Sequence, residues 1–330
     1  MNTHWSPASD FRNTYEFLFD SVQEDFEQQA ARYKEIDLNC IQLSSGKFRG
    51  RITSALLGDI SIYAERNNQT MEREFSLPPG MCSFCVALDG SEPADTYGVA
   101  NSGDVVYITP PGGRSVTICP ADTALLVFTI DHEAFMRNAG LLPGVADWFA
   151  GLGRRGTVVR SARLAHRLRA DITSALQGSE RATSDKSRAA IDRATVLSVA
   201  NALTMEWLTP DKLKTFPSTH AYERFRTARN LLLDDASGFD IQGGRSYKHL
   251  GSKRSIEQAF NDHVFMGPLT YRRIVRLHHA RRKLLDPERR KNSIGDIAAE
   301  EGFWDASRFA NFYRRHFGEL PSETRFRLAN

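Results

Sequence analysis

The chain has 330 residues, 41% hydrophobic and 25% charged, with a net charge of +3 at neutral pH. It is too long for one typical domain, and its composition is that of an ordinary globular chain, not a disordered or fibrous one. The longest apolar stretches, such as 124–130, are strand-length, and the start MNTHWSPASD lacks the basic and apolar parts of a secretory signal, so a cytoplasmic protein away from membranes is expected. The charge is unevenly spread. Residues 221–330 hold 21 Lys and Arg against 14 Asp and Glu, a net +7, and the remainder is net −4. A basic C-terminal third is what phosphate neutralisation needs.

Residues 10–34 place Phe11, Tyr15, Leu18, Phe19, Val22 and Phe26 at roughly helical spacing and are expected to form an amphipathic helix or arm. From 36 to 130 the pattern changes to short apolar or alternating runs at 39–43, 48–57, 60–65, 81–88, 104–108, 115–119 and 124–130. They are punctuated by SSGK, LGD, LPPG, NSGD and TPPGG. Many short strands with Gly and Pro turns predict a sandwich or barrel. Helical periodicity takes over from 131, with long helices expected at 162–176 and 186–208. Residues 209–218, TPDKLKTFPS, hold two prolines and no periodicity and read as a linker. The expected organisation is therefore α+β and multidomain. Residues 1–208 form one part (β-rich over 36–130, helical over 131–208), 209–218 the linker, and 219–330 an all-α domain.

The last segment carries the densest information. Ile294, Ile297 and Ala298 share a helix face, Gly302 suits a left-handed turn, Phe303 plugs it, and Asp305 stands as an N-cap. Phe309, Tyr313 and Phe317 then recur four apart, opposite a face of Ala306, Ser307, Asn311, Arg314 and Arg315, before Gly318 and Pro321 end the helix. That is a helix-turn-helix with a small, polar and cationic outer face. An internal repeat extends it. Ser252, Ile256, Phe260, His263, Pro268 and Arg272 match Asp305, Phe309, Tyr313, His316, Pro321 and Arg325 at a constant offset of 53. Between the copies, 271–285 reads as one helix, apolar along Ile274, Leu277, His278, Leu284 and Leu285 and basic on its other side. Fifteen residues make it ~22 Å long, a spacer for two recognition helices entering successive major grooves.

Over about 222–328 the chain resembles the AraC/XylS family of bacterial transcription regulators. The likeness rests on RLHHARRKLL, on GFWDASRFANFYRRHFGELPSETR and on their spacing. The segment CIQLSSGKFRGRITSALLGDISIYAERNNQ is similar to the sensor domain of the subgroup containing the ethanolamine-utilisation regulator. The resemblance implies an activator in which residues 1–208, with a cupin-like or related β-rich domain, sense a small-molecule effector (an amine, by the subgroup) and dimerise, and residues 219–330, a tandem helix-turn-helix domain, bind promoter DNA. It also implies a homodimer that contacts RNA polymerase. Base contacts carried over are Arg254, Glu257 and Gln258 in the first unit and Ala306, Ser307 and Asn311 in the second. Their chemistry agrees: Arg pairs with guanine, Gln and Asn with adenine, Glu with cytosine, and Ala packs on a thymine methyl. Lys253, Arg308, Arg314 and Arg315 are the expected phosphate anchors.

The first unit departs from the family pattern. It has Arg245-Ser246 and Leu250-Gly251 where Leu-Ala and a Gly-Val turn are usual, and Phe265 where a glycine ends the helix. The second unit is therefore expected to supply more of the sequence discrimination. Competing chemistries are weaker. Cys82 and Cys85 form a CxxC, but in a strand-like run residues three apart face opposite ways, so buried thiols are expected for these and for Cys40 and Cys119. Before residue 200 only His4, His132 and His166 occur, too scattered for a cupin metal site, so no metal, cofactor or enzymatic activity is expected. His278 and His279 read as packing and phosphate-facing. The alternatives are a ligand-independent architectural DNA-binding protein and a cupin-type metalloenzyme fused to a DNA-binding domain.

Overall fold

The computed structural model describes residues 22–88, 95–96, 99–100, 103–139, 144–152, 156–208, 215–216, 220–233 and 250–327. In chain order the elements are β1 (Val22–Gln23), α1 (Phe26–Ala30), β2 (Asp37–Gln42), β3 (Gly50–Leu56), β4 (Ile60–Asn67), β5 (Met71–Ser76), β6 (Met81–Ala87), β7 (Asp95–Thr96), β8 (Val99–Ala100), β9 (Val105–Thr109), β10 (Arg114–Cys119) and β11 (Ala124–Asp131). There follow α2 (His132–Ala139), α3 (Val145–Gly151), β12 (Thr157–Arg160), α4 (Ala162–Arg181), α5 (Asp185–Trp207) and β13 (Thr215–Phe216). The C-terminal helices are α6 (His220–Leu233), α7 (Lys253–Val264), α8 (Pro268–Leu284), α9 (Ile294–Glu300), α10 (Ala306–Phe317) and α11 (Pro321–Phe326).

The strands form two antiparallel sheets, ordered β1-β3-β4-β11-β6-β9-β12-β13 and β2-β5-β10-β7-β8. The expected β-rich sandwich is thus present, and strand alternation makes each sheet two-faced. On the larger sheet Ile60, Ile62, Phe84, Val86, Leu126 and Phe128 pack with Phe135, Leu168, Ile172 and Val199 of the flanking helices in a dry core. Ser83, Cys85, Leu125 and Val127 of the same strands turn the other way, toward the smaller sheet. The smaller sheet in turn offers its outer face, with Ile41, Val116 and Ile118, to Tyr222, Phe225, Phe260 and Tyr271 of α6, α7 and α8. The order through the molecule is therefore helices, large sheet, small sheet, C-terminal helices.

Two expectations need correction. Residues 10–21 lie outside the described residues, and the rest of the expected N-terminal helix is the short strand β1 followed by a five-residue helix, capped by Asp25 whose carboxylate accepts from the Glu27 amide at 2.8 Å. Phe26 keeps its place as a core residue, but it packs on Phe48, His278 and Phe317 and not along one continuous amphipathic stripe. The strand β5 was not anticipated, because its sequence MEREFS shows charge on both faces. Within 209–218, Thr215–Phe216 pairs with β12.

Candidate nucleic-acid interface and sensor cavity

The repeat is visible as structure. Helices α7 and α10 are each twelve residues long and start 53 residues apart. Ser252 caps α7 by accepting from the Ser255 amide at 3.2 Å, and Asp305 caps α10 by accepting from the Arg308 amide at 2.9 Å. In the second unit a reciprocal Ser293–Asp296 capping box opens α9, and Ile297 and Ala298 are fully buried at the crossing. Gly302 turns the chain at φ +77°, and the Phe303 amide returns to the Ala298 carbonyl at 2.8 Å. Phe309, Tyr313 and Phe317 meet in sequence as tilted rings, their centroids 5.6 and 4.7 Å apart. Helix α8 spans 17 residues, about 25 Å, and joins the two units.

The reading faces stay outside. Lys253, Arg254 and Gln258 are exposed on α7 and Glu257 is half-buried. Ala306, Ser307, Arg308, Asn311, Arg314 and Arg315 are all exposed on α10. Each set lies opposite the buried residues of its own helix, Ile256, Phe260 and His263 in one and Phe309, Tyr313 and His316 in the other. Gln258 donates to Asp262 at 2.6 Å, and Lys253 lies 3.9 Å from Glu257, so both must exchange partners to reach a nucleic acid. Trp304, 87% exposed in the turn before α10, flanks this face and was not singled out by its sequence position. His279 keeps 37% of its side chain exposed and lies 3.5 Å from Glu301. The unusual segment 245–246 of the first unit lies outside the described residues. Phe265 ends α7 at φ +58°, a left-handed conformation that Gly318 adopts at the matching place.

The helices are seated on the small sheet by buried polar groups. In β5, Glu72 lies between Ile41 and Ile118 on the outer face. Its carboxylate accepts from Arg229 Nε at 2.8 Å and Nη2 at 2.5 Å, and from the Tyr271 hydroxyl at 2.9 Å. Glu74 takes a further 2.9 Å bond from Arg229. Burial disfavours the Arg229 cation, but the Glu72 charge outweighs it and holds the guanidinium protonated. Burial also pushes the Tyr271 phenol well above its ordinary range. The second unit is seated differently. The Gln42 carbonyl accepts from His278 Nε2 at 3.1 Å and His316 Nε2 at 2.9 Å, so both rings are neutral donors. Burial lowers both, His316 to about 4. Arg281 pairs with Asp25 and, at 2.7 Å, with Glu27, over the face of Phe26.

Between the sheets lies a narrow cavity lined by Tyr33, Leu38, Phe75, Tyr107, Leu125 and Val127, with Arg73, Ser83, Cys85, Thr109, Ser115 and Thr117 as its polar and thiol groups. Arg73 bonds Glu65 across the sandwich, and its guanidinium stands 5.3 Å from the Tyr33 ring centroid. Ser115 is buried and its hydroxyl has no hydrogen-bond partner. The CxxC residues separate as their spacing requires: Cys85 lines the cavity, and Cys82 packs into the opposite core with its thiol 3.4 Å from the Ile130 carbonyl. Burial raises all four thiols, Cys40 to about 11 and Cys119 to about 12. Among the described residues no cluster of three or more His, Cys, Asp or Glu is placed to hold a metal ion, and no helix is long and apolar enough to cross a membrane.

Comparison with known proteins places names on the C-terminal part. Residues 251–327 match the family described as "Helix-turn-helix domain". The XylDLEGF operon transcriptional activator 1 of Pseudomonas putida is 40% identical over 75 residues, 23% of each chain. The regulatory protein HrpB of Ralstonia nicotianae is 31% identical over 105 residues, 32% of this chain and 22% of that one. The chain therefore spans about a quarter of the length of these curated relatives. Among solved structures, the AraC-like transcriptional activator CuxR covers 78% of this chain and 91% of its own at 16% identity, with a TM-score of 0.38. ToxT from Vibrio cholerae covers 90% and 99% at 12% identity, with a TM-score of 0.28. The C-terminal region is a DNA-binding type of fold, a tandem helix-turn-helix. More particularly, residues 251–327 are a helix-turn-helix domain similar in sequence to that of the XylDLEGF operon activators.

Proposed function

We propose that the chain is a sequence-specific DNA-binding transcriptional regulator, an activator switched by a small molecule held in the sandwich cavity. One observation carries the reading: two helices 53 residues apart expose their small, amide and cationic side chains while their aromatic faces are seated on a domain that encloses a cavity. Residues 1–208 then sense and dimerise, 209–218 link, and 219–330 bind promoter DNA. Arg254, Glu257, Gln258, Ala306, Ser307 and Asn311 are the base-reading groups, and Lys253, Arg308, Arg314 and Arg315 the phosphate anchors. Pairing of two chains is supported by α5, where Leu197, Met205 and the adjoining Leu208 are exposed. Contact with RNA polymerase belongs to the same proposal through the activator relatives. The cavity disfavours a purely architectural role.

The test is DNA selection followed by titration. Wild-type protein is expected to enrich a defined duplex from a random pool. Asn311→Ala is expected to lose about 1–3 kcal/mol of discrimination at one base pair, and Arg254→Ala less, because the first unit departs from the pattern. No enrichment would sink the regulator reading, and a larger loss at Arg254 would reverse the ranking of the units. Replacing Arg315 by Ala is expected to weaken all duplexes alike and to reduce the salt dependence by about one counterion.

A further inference from the structure

The strands β2, β5 and β10 are shared property. Their inward residues line the cavity and their outward residues hold the helix-turn-helix region, in strict alternation. On β5, Arg73 and Phe75 face the cavity, and Glu72 and Glu74 bind Arg229. On β10, Ser115 and Thr117 face in, while Val116 and Ile118 pack under α6 to α8. On β2, Leu38 faces in, and Ile41 joins the outer cluster. One layer of backbone therefore separates a cavity wall from the seat of the first unit.

The cavity's chemistry limits what enters. Its lining holds one charged side chain, Arg73, already neutralised by Glu65, and no carboxylate of its own. An amine would find no counter-ion there. A carboxylate would have to draw Arg73 away and leave the Glu65 charge, 2% exposed, without its cation and with the Gln29 amide at 3.4 Å. An uncharged molecule with one hydrogen-bonding group disturbs neither and can satisfy the buried, unpartnered Ser115 hydroxyl. Space is also short: the centre of a water molecule has about 30 Å³ to move in, room for one or two waters. An occupant as large as an aromatic ring must push the sheets apart. The large sheet is backed by the apolar helical core of its own domain, and the small sheet by the C-terminal helices, so a yielding small sheet shifts against those helices and carries Glu72 with it.

We propose that the cavity takes an uncharged, ring-sized ligand with a single hydrogen-bonding group, and that its entry is transmitted to the first helix-turn-helix unit by displacement of β5 against the Glu72–Arg229–Tyr271 seat. This rests on the effector reading above and assigns its ligand class and its coupling element. Coupling is reciprocal, so loosening the seat from outside must change ligand affinity inside.

The experiment titrates the full chain with three probes of one shape, benzyl alcohol, benzylamine and benzoate, by protein-observed NMR and calorimetry. Benzyl alcohol is expected to bind at least fivefold more tightly than either charged probe and to shift Ser115 and its neighbours. A charged probe binding equally well or better overturns the ligand class, and no binding by any probe overturns the effector cavity itself. Glu72→Gln, whose side chain lies outside the cavity, is expected to tighten benzyl alcohol binding twofold or more. Tyr271→Phe, which removes one hydroxyl from the seat, is expected to act in the same direction and serves if the first variant folds poorly. A change of less than twofold in both, or weaker binding, overturns the coupling while leaving the effector reading standing.

Discussion

Helices α7 and α10 share a length and a capping plan, but their two units do not share a foundation. The first rests on apolar contacts around one concentrated buried charge, Arg229 between Glu72 and Glu74. The second rests on distributed polar contacts: two neutral histidines on one carbonyl, and Arg281 shared among Asp25, Glu27 and Glu319. A concentrated seat fails all at once when its partner is removed, whereas a distributed one degrades in steps. Replacing Arg229 by Met strands Glu72, 1% exposed, with a single phenol, and is expected to destabilise the chain by about 3–5 kcal/mol. The same change at Arg281 leaves Asp25 with Arg327 at 3.1 Å and is expected to have about half that effect. Urea unfolding followed by circular dichroism measures both, and equal losses would erase the distinction between the seats.

Acid should separate the units next. Burial lowers His316 from the ordinary 6.5 to about 4 in the folded chain, so the unfolded chain takes up the proton first as pH falls. Stability is full above about pH 6.5 and is lost as pH drops toward 4, by about 3 kcal/mol in total for this one group. His278 is lowered in the same direction, first by burial and then by its neighbour His316. Hydrogen exchange at pH 7.5 and pH 5 is expected to show α10 losing protection before α7. The opposite order would mean that the histidines do not seat the second unit.

How much of this was readable beforehand depends on what each residue faces. The second unit was legible because its signals are local: a cap, a glycine at φ +77°, and aromatics four apart. Most strands were legible from their apolar runs. Strand β5 was not, since Glu72 and Arg73 are buried by ion pairs to residues 157 and 8 positions away, and nothing in MEREFS announces those partners. The same reason hid the cavity, because strand faces are assigned only when the two sheets and the helices are seen together. Gln42 was equally silent: its backbone carbonyl holds both histidines and its side-chain amide donates to the His316 carbonyl at 3.1 Å, partners 236 and 274 positions away.

The left-handed helix ends sharpen the comparison at smaller scale. Gly318 at φ +74° lies against the sandwich, and a Cβ there would come within 2.8 Å of the Lys47 amide nitrogen. Gly318→Ala combines conformational strain with a backbone clash and is expected to destabilise by about 2–3 kcal/mol.

Phe265 adopts the same conformation at φ +58° with its side chain 66% exposed, so its Cβ meets solvent instead of the sandwich. The strain at that position, about 1–2 kcal/mol, is therefore tolerated by the first unit and would not be tolerated by the second. Phe265→Gly relieves it while losing little burial, and the greater freedom of the unfolded glycine returns roughly half to one kcal/mol. A net stabilisation of about 0.5–1 kcal/mol is expected, read as a raised unfolding midpoint with an unchanged slope. If the midpoint falls instead, the phenyl ring makes a contact that its exposure conceals, and the first unit is held together at this end by more than its fold alone requires.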